Sequence, residues 1–256
     1  MQRRAAAPGV VPPSPAASAF FLDVDGTLLG IAATPDAVTV EPAVLRLLGR
    51  LHGATGGALA LISGRAIPVL DRMFAPLRLA AAGQHGAERR DATGRLHTQA
   101  ISARGLDEAR AAAGAFAAGH RGVLVEDKGL SLAVHFRQAP AVEAALRALL
   151  AGIVEESPGD VALQPGKMVF EVKPAGRDKG TAIGEFMQEP PFLGRLPVFI
   201  GDDVTDEFGF AVVNALGGLA VKVGEGASCA RLRLAGVEAV RDWLEACLRR
   251  CEARSA

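Results

Sequence analysis

At 256 residues, half of them hydrophobic, the chain is long enough to bury a large core as one big domain or two modest ones. Its 28 basic and 28 acidic residues cancel, which removes any broad electrostatic reason to expect nucleic acid or an anionic membrane as main partner. Three cysteines, Cys229, Cys247 and Cys251, are too few and too uneven for a disulfide framework or a four-ligand zinc site, and they fit a reducing cytoplasm.

Residues 1–18 carry prolines where a leader needs an unbroken apolar run, so they are expected to be a disordered tail. No charge-free apolar stretch of about 20 residues follows, and no membrane-spanning helix is expected. From Ser18 the apolar run AFFLDV predicts a strand, and EPAVLRLLGRLHG predicts a helix stopped at Gly53. ALALISGR and LRLAAAG predict two further strands, separated by the helical PVLDRMFAPL. Apolar strands alternating with helices imply α/β architecture: a Rossmann-like parallel sheet covered on both faces, with ligands at the carboxyl ends of its strands.

The middle of the chain changes rhythm. VLVEDKGLSLAVHFR and VALQPGKMVFEVKP each predict a hairpin, turning at Asp127–Gly129 and at Pro165–Gly166, and a helical segment precedes each one. Together they predict an inserted α+β domain over residues 85–174, between core segments 19–84 and 175–252. The first rhythm then resumes, with DKGTAIGEFMQ helical, LPVFIGDD a strand, VTDEFGFAVVNAL helical, LAVKVG a strand and GVEAVRDWLEACLRRCEA an amphipathic helix. Cys247 and Cys251, four apart on that last helix, are read as ordinary packing residues.

Chemistry concentrates at the strand ends. Asp23 and Asp25 close the first strand, and residues at i and i+2 share a face. One carboxylate binding a divalent metal and attacking phosphorus, with the other giving a proton to the leaving oxygen, would split phosphate-ester hydrolysis into two easier steps. An anionic nucleophile approaching a phosphate dianion needs positive charge and donors around it. Candidates are the hydroxyls of Thr27 and Ser63, Lys179 at a helix start, and Asp202 and Asp203 as hard oxygen ligands for magnesium. Taken singly, each has an ordinary reading: a turn serine, a solvated lysine, or Asp202–Asp203 as a helix cap. Their order along one sheet favours the chemical one.

FLDVDGTL, LISGR, the lysine of DKG and IGDDVTDE, in this order, resemble the four signatures of the haloacid-dehalogenase-like (HAD) phosphatase superfamily. The resemblance implies that Asp23 is the nucleophile forming an aspartyl-phosphate and Asp25 the general acid and then base. It also implies that Asp23, the main-chain carbonyl of Asp25, and Asp202 hold magnesium, with Asp203 or Asp206 assisting. Ser63 and Lys179 would bind the transferring phosphoryl group, with Thr27, Gly64 and Arg65 among the substrate-binding residues.

The position of the insert is similar to superfamily members with a large α/β cap of the second type, which closes over the substrate. GQHGAE, VEDKGLSLAVHFR, GKMVFEVKP and GDDVTDE together resemble the trehalose-6-phosphate phosphatase family. This places Gln84, His85 and Gly86 at the junction of core and cap, and Glu126, Lys128, Arg137, Glu171 and Lys173 near the sugar. Lys167 lies in the second hairpin beside them. His135 is read as structural. The implied activity is magnesium-dependent hydrolysis of trehalose 6-phosphate, the last step of trehalose biosynthesis, by a cytoplasmic monomer. Two alternatives stay open: a related phosphatase for another sugar phosphate such as mannosyl-3-phosphoglycerate, and a catalytically silent sugar-phosphate sensor.

Overall fold

The computed structural model describes residues 12–31, 38–98, 103–166 and 168–255. Lys167 and residues 1–11 of the expected tail lie outside them. The chain divides into two compact units, one formed by residues 1–96 with 178–256 and the other by 97–177.

The first unit is built on a mostly parallel sheet. Its strands are β1 (Ser18–Asp23), β2 (Leu59–Ile62), β3 (Ala80–Gly83), β4 (Glu88–Arg90), β5 (Leu96–Thr98), β10 (Leu196–Gly201), β11 (Leu219–Val223) and β12 (Leu232–Leu234). The spatial order is β12-β11-β10-β1-β2-β3-β4-β5, and the division between units falls within β5. All the pairings from β12 through to β3 are parallel, whereas β4 returns antiparallel to β3. β1 pairs on one side with the next strand in sequence and on the other with β10, so the order reverses around it. That switch point is where an open α/β sheet forms its crevice.

The helices follow from the parity of the strands. Phe20, Leu22, Leu59, Leu61, Val198 and Ile200 point to one face, where they meet α1 (Pro42–Ala54), α2 (Ile67–Met73) and α7 (Val237–Ser255). Phe21, Ala60, Ile62 and Phe199 point to the other face and pack on α5 (Lys179–Phe186) and α6 (Asp206–Ala215). Cys247 is buried in the first cluster, where desolvation pushes its thiol up to about 12, as expected of an inert packing residue.

Three strands escape the sequence reading, and three boundaries move. β4 is Glu88-Arg89-Arg90, with no apolar alternation to announce it. It is nevertheless buried, because Arg90 pairs with Asp71 and Arg89 with Glu185 and Glu189. The pairing of β4 with β3 keeps residues 85–96 in the first unit, so the insert starts at His97 rather than at residue 85 and ends at Arg177 rather than at 174. The end of the expected tail is folded, since Pro15–Ala17 form a short 3-10 helix and Ser18 opens β1. β5 and β12 are three residues each, too short to show a period.

The second unit is a four-stranded antiparallel sheet with two helices. Its strands β6 (Leu124–Asp127), β7 (Leu132–His135), β8 (Val161–Gly166) and β9 (Val169–Pro174) lie in the order β6-β7-β9-β8. α3 (Ala103–Gly119) and α4 (Glu143–Glu156) cover one face, where Leu106, Ala109, Leu146 and Leu150 meet Leu132, Val134, Phe170 and Val172. The other face carries the polar residues. The register aligns Glu126, Ala133, Glu171 and Gln164 in a single row across it.

Candidate active site

Asp23 continues the parity of Ala19 and Phe21, so its side chain falls on the side of α5. There Lys179, the first residue of α5, donates from Nζ to Asp23 Oδ1 and to Asp206 Oδ1, each at 2.7 Å. All three side chains are buried. The start of α5 is fixed by a capping box: Asp178 accepts from the Thr181 amide, and Thr181 Oγ1 accepts from the Asp178 amide. The lysine is thereby held at one place beneath β1.

Asp202 completes the group. It follows β10, accepts from Thr27 Oγ1 at 3.0 Å, and its main-chain carbonyl accepts from Lys222 Nζ. Carboxylate oxygens of Asp23, Asp202 and Asp206 lie within 4.8 Å of one another. Gly26 makes the approach possible, since it sits at φ +89° and a Cβ there would lie 2.2 Å from Asp202 Oδ2.

Three carboxylates share one ammonium, and the electrostatics reflect it. Burial pushes Asp23 well above the ordinary carboxylate range; Lys179 opposes that shift, and Asp206 and Asp202 add to it. Burial, then Asp206, raise Asp202 as well. Burial alone would disfavour the Lys179 ammonium, but the charges of Asp206 and Asp23 outweigh it and hold the lysine above its usual value. Negative charge is thus left over among hard oxygen donors, and the cluster fits a small divalent cation.

Asp203 stands apart from this cluster. Its side chain is exposed, and its contribution is the backbone N–H donated to Asp206 Oδ2 at 2.8 Å. Nor does the carboxylate of Asp25 join the cluster. Arg65 holds it in a bidentate pair, Nε to Oδ2 at 2.7 Å and Nη2 to Oδ1 at 2.8 Å. Ser63, buried at the end of β2, accepts at Oγ from the Arg65 amide, which leaves its hydroxyl proton free to donate to a phosphoryl oxygen. His85 lies against Gly64, where a Cβ would come within 2.5 Å of its Nε2. The turn of Gln84, His85 and Gly86 bonds back to this loop: the Gln84 amide reaches the Arg65 carbonyl and the His85 amide the Ser63 carbonyl, each at 3.0 Å.

In the second unit Glu171 is the hub of the polar face. Its Oε1 accepts from Ser131 Oγ at 2.7 Å and its Oε2 from Lys128 Nζ at 3.3 Å. Lys173 donates to the Arg177 carbonyl at 2.6 Å. His135 Nε2 lies 2.9 Å from Glu126 Oε2 and holds that carboxyl below its ordinary range against the opposing effect of burial. Arg137 is exposed and forms no hydrogen bond or ion pair among the described residues. Ser131 and Gln164 escape the sequence reading. Gln164 lies opposite Glu171 in the register of β8 with β9, and Ser131, just before β7, reaches Glu171 through its hydroxyl.

The model of the trehalose-phosphatase family matches residues 21–236. The chain belongs to the trehalose-phosphatase family. It is 49% identical over 227 residues to the trehalose-6-phosphate phosphatase of Escherichia coli K12, covering 89% of this chain and 85% of that protein. It is 47% identical over 206 residues to a probable trehalose-phosphate phosphatase of Sinorhizobium fredii, covering 80% of this chain and 77% of that one. Among solved structures, a trehalose-6-phosphate phosphatase related protein superposes with a TM-score of 0.74 at 25% identity, over 92% of this chain and 99% of the other. A more distant phosphatase of the HAD superfamily shares the fold, with a TM-score of 0.61 at 17% identity over 96% of this chain and 99% of its own. The family membership and the HAD fold expected from the sequence both hold. No helix among the described residues is long and apolar enough to cross a membrane.

Proposed function

We propose that this member of the trehalose-phosphatase family hydrolyses trehalose 6-phosphate to trehalose and inorganic phosphate. The observation that carries the chemistry is Asp23 at the switch point of the sheet, shared with Asp206 by one buried lysine. Its close relatives carry the substrate.

Asp23, Asp202 and Asp206 would hold a divalent cation, which we take to be magnesium; when bound it supplies positive charge that offsets the developing charge on the phosphoryl oxygens. Asp23 attacks phosphorus through a carboxylate oxygen, and the bond from phosphorus to the sugar oxygen breaks. Asp25, drawn off Arg65 and protonated as substrate binds, gives its proton to that oxygen, and trehalose leaves. Asp25, now a carboxylate, takes a proton from water as the water attacks the aspartyl-phosphate, and the bond between phosphorus and Asp23 breaks. Lys179 and the Ser63 hydroxyl donate to the phosphoryl oxygens throughout. In the inserted unit Glu126 and Glu171 accept from sugar hydroxyls, and Lys128 and Lys173 donate to them.

Phosphate release by the purified chain across a panel of sugar phosphates tests the reading. It fails if trehalose 6-phosphate is left intact while mannosyl-3-phosphoglycerate or another sugar phosphate is hydrolysed. Glu171→Ala should lower kcat/KM for trehalose 6-phosphate about 100-fold and that for p-nitrophenyl phosphate no more than about threefold. Equal losses on the two would take Glu171 out of sugar recognition. Chelation with EDTA should reduce phosphate release to background and lower the melting temperature, and readdition of magnesium should restore both. Restoration by manganese or zinc but not magnesium would correct the metal.

A further inference from the structure

We propose that Glu88 is a positioning residue for this reaction: its carboxylate pins the Gln84–Gly86 turn to the start of α2 and so holds Arg65, and through it Asp25, in place. The inference rests on the hydrolytic reading above. Glu88 is 9% exposed, and its Oε1 accepts from the Ile67 amide at 2.8 Å and from Gln84 Nε2 at 3.2 Å. One oxygen thus ties Ile67, the first residue of α2 and two positions after Arg65, to the turn lying across that loop.

The turn needs holding. Gln84 and His85 have φ of 48° and 55°, and Gly86 follows at 97°. Non-glycine side chains avoid this left-handed region, and consecutive residues persist there only where their surroundings leave no alternative. Gly83 carries no side chain because a Cβ would lie 2.6 Å from Glu88 Oε1 and 2.9 Å from the Arg65 carbonyl. The turn then bonds to both ends of the loop, through the Gln84 and His85 amides. Arg65, so placed, grips the carboxylate of Asp25. Removal of the Glu88 acceptor releases the turn, then Arg65 and the orientation of the proton carrier, while Ser63 stays tied to β3 by its own amide bond to the Ala82 carbonyl at 2.9 Å.

A leaving group that needs no proton separates this role from a general loss of structure. kcat/KM is compared for the wild-type chain, Glu88→Gln, Glu88→Ala, Arg65→Ala and the double variant, with trehalose 6-phosphate and with p-nitrophenyl phosphate. Glu88→Gln keeps a carbonyl acceptor at the same place and should stay within about threefold of wild type. Glu88→Ala should lose about 30-fold on the sugar phosphate and far less on the aryl phosphate, and should cost little more once Arg65 is already alanine. Equal losses on both substrates, losses independent of Arg65, or unchanged activity would each overturn the proposal. Should Glu88→Ala not fold, Glu88→Asp withdraws the carboxylate by one methylene and must show the same selective loss. Wild-type chain that hydrolyses only the aryl phosphate and a different sugar phosphate overturns the substrate reading alone, and the Glu88 comparison is then made on that sugar phosphate.

Discussion

Asp23→Asn is expected to lower phosphate release by about 10⁴-fold or more while leaving the fold intact. The amide has nearly the shape of the carboxylate and still accepts from Lys179 Nζ through its carbonyl oxygen, so β1 and α5 keep their contact. What is lost is the anionic oxygen that attacks phosphorus. Removing one of three clustered carboxylates also relieves repulsion, because Asp206 and Asp202 are among the groups that raise Asp23. The variant should therefore melt no lower than wild type when metal is chelated. Phosphate release with trehalose 6-phosphate, read beside a thermal melt, checks both statements. A folded variant with wild-type turnover would remove Asp23 from the nucleophilic role.

Lys179→Ala should be nearly as damaging to activity and, unlike Asp23→Asn, should also be damaging to stability. The ammonium is the shared counter-ion of Asp23 and Asp206, all of them buried. Breaking a buried pair by removing one partner leaves uncompensated charge and costs about 3–5 kcal/mol. Activity should fall about 10³-fold, the usual scale for a lost electrostatic stabiliser of a transferring group. A divalent ion binding the same carboxylates supplies part of the missing charge, so magnesium should raise the melting temperature of the variant more than that of wild type. Thermal melts with and without magnesium measure this directly. A variant that is insensitive to magnesium would mean that lysine and metal do not answer to the same charges.

The sheet strands and helices with strong apolar periods were legible in the sequence, as were the acids and the lysine at their ends. β4 was not, because Glu88, Arg89 and Arg90 are stabilised by ion pairs with residues far along the chain rather than by an apolar face. The choice between Asp203 and Asp206 was equally hidden. DDVTD offers three acids in five positions, and only the folded chain shows that Asp206, first residue of α6, turns inward to Lys179 while Asp203 stays in solvent. The Arg65–Asp25 pair joins two motifs that sequence spacing cannot connect. In the inserted unit, alternation placed Glu171 and Lys173 on one face, but Ser131 entered only through the pairing of β7 with β9.

The pairing of β1 with β10 also bears on how the molecule is made. Ser18 lies opposite Leu196 and Leu22 opposite Ile200, so one edge of β1 waits for a partner synthesised after the whole inserted unit. Contacts of such long range make closing the sheet a late and slow step. The hairpins of residues 97–177 bring their own partners and can fold while the first sheet is still open. During synthesis, then, β1 presents an unfilled edge of the kind that associates with other chains. Asp23 meets Lys179 only as that edge closes, so catalytic competence and protection from aggregation arrive in the same folding event.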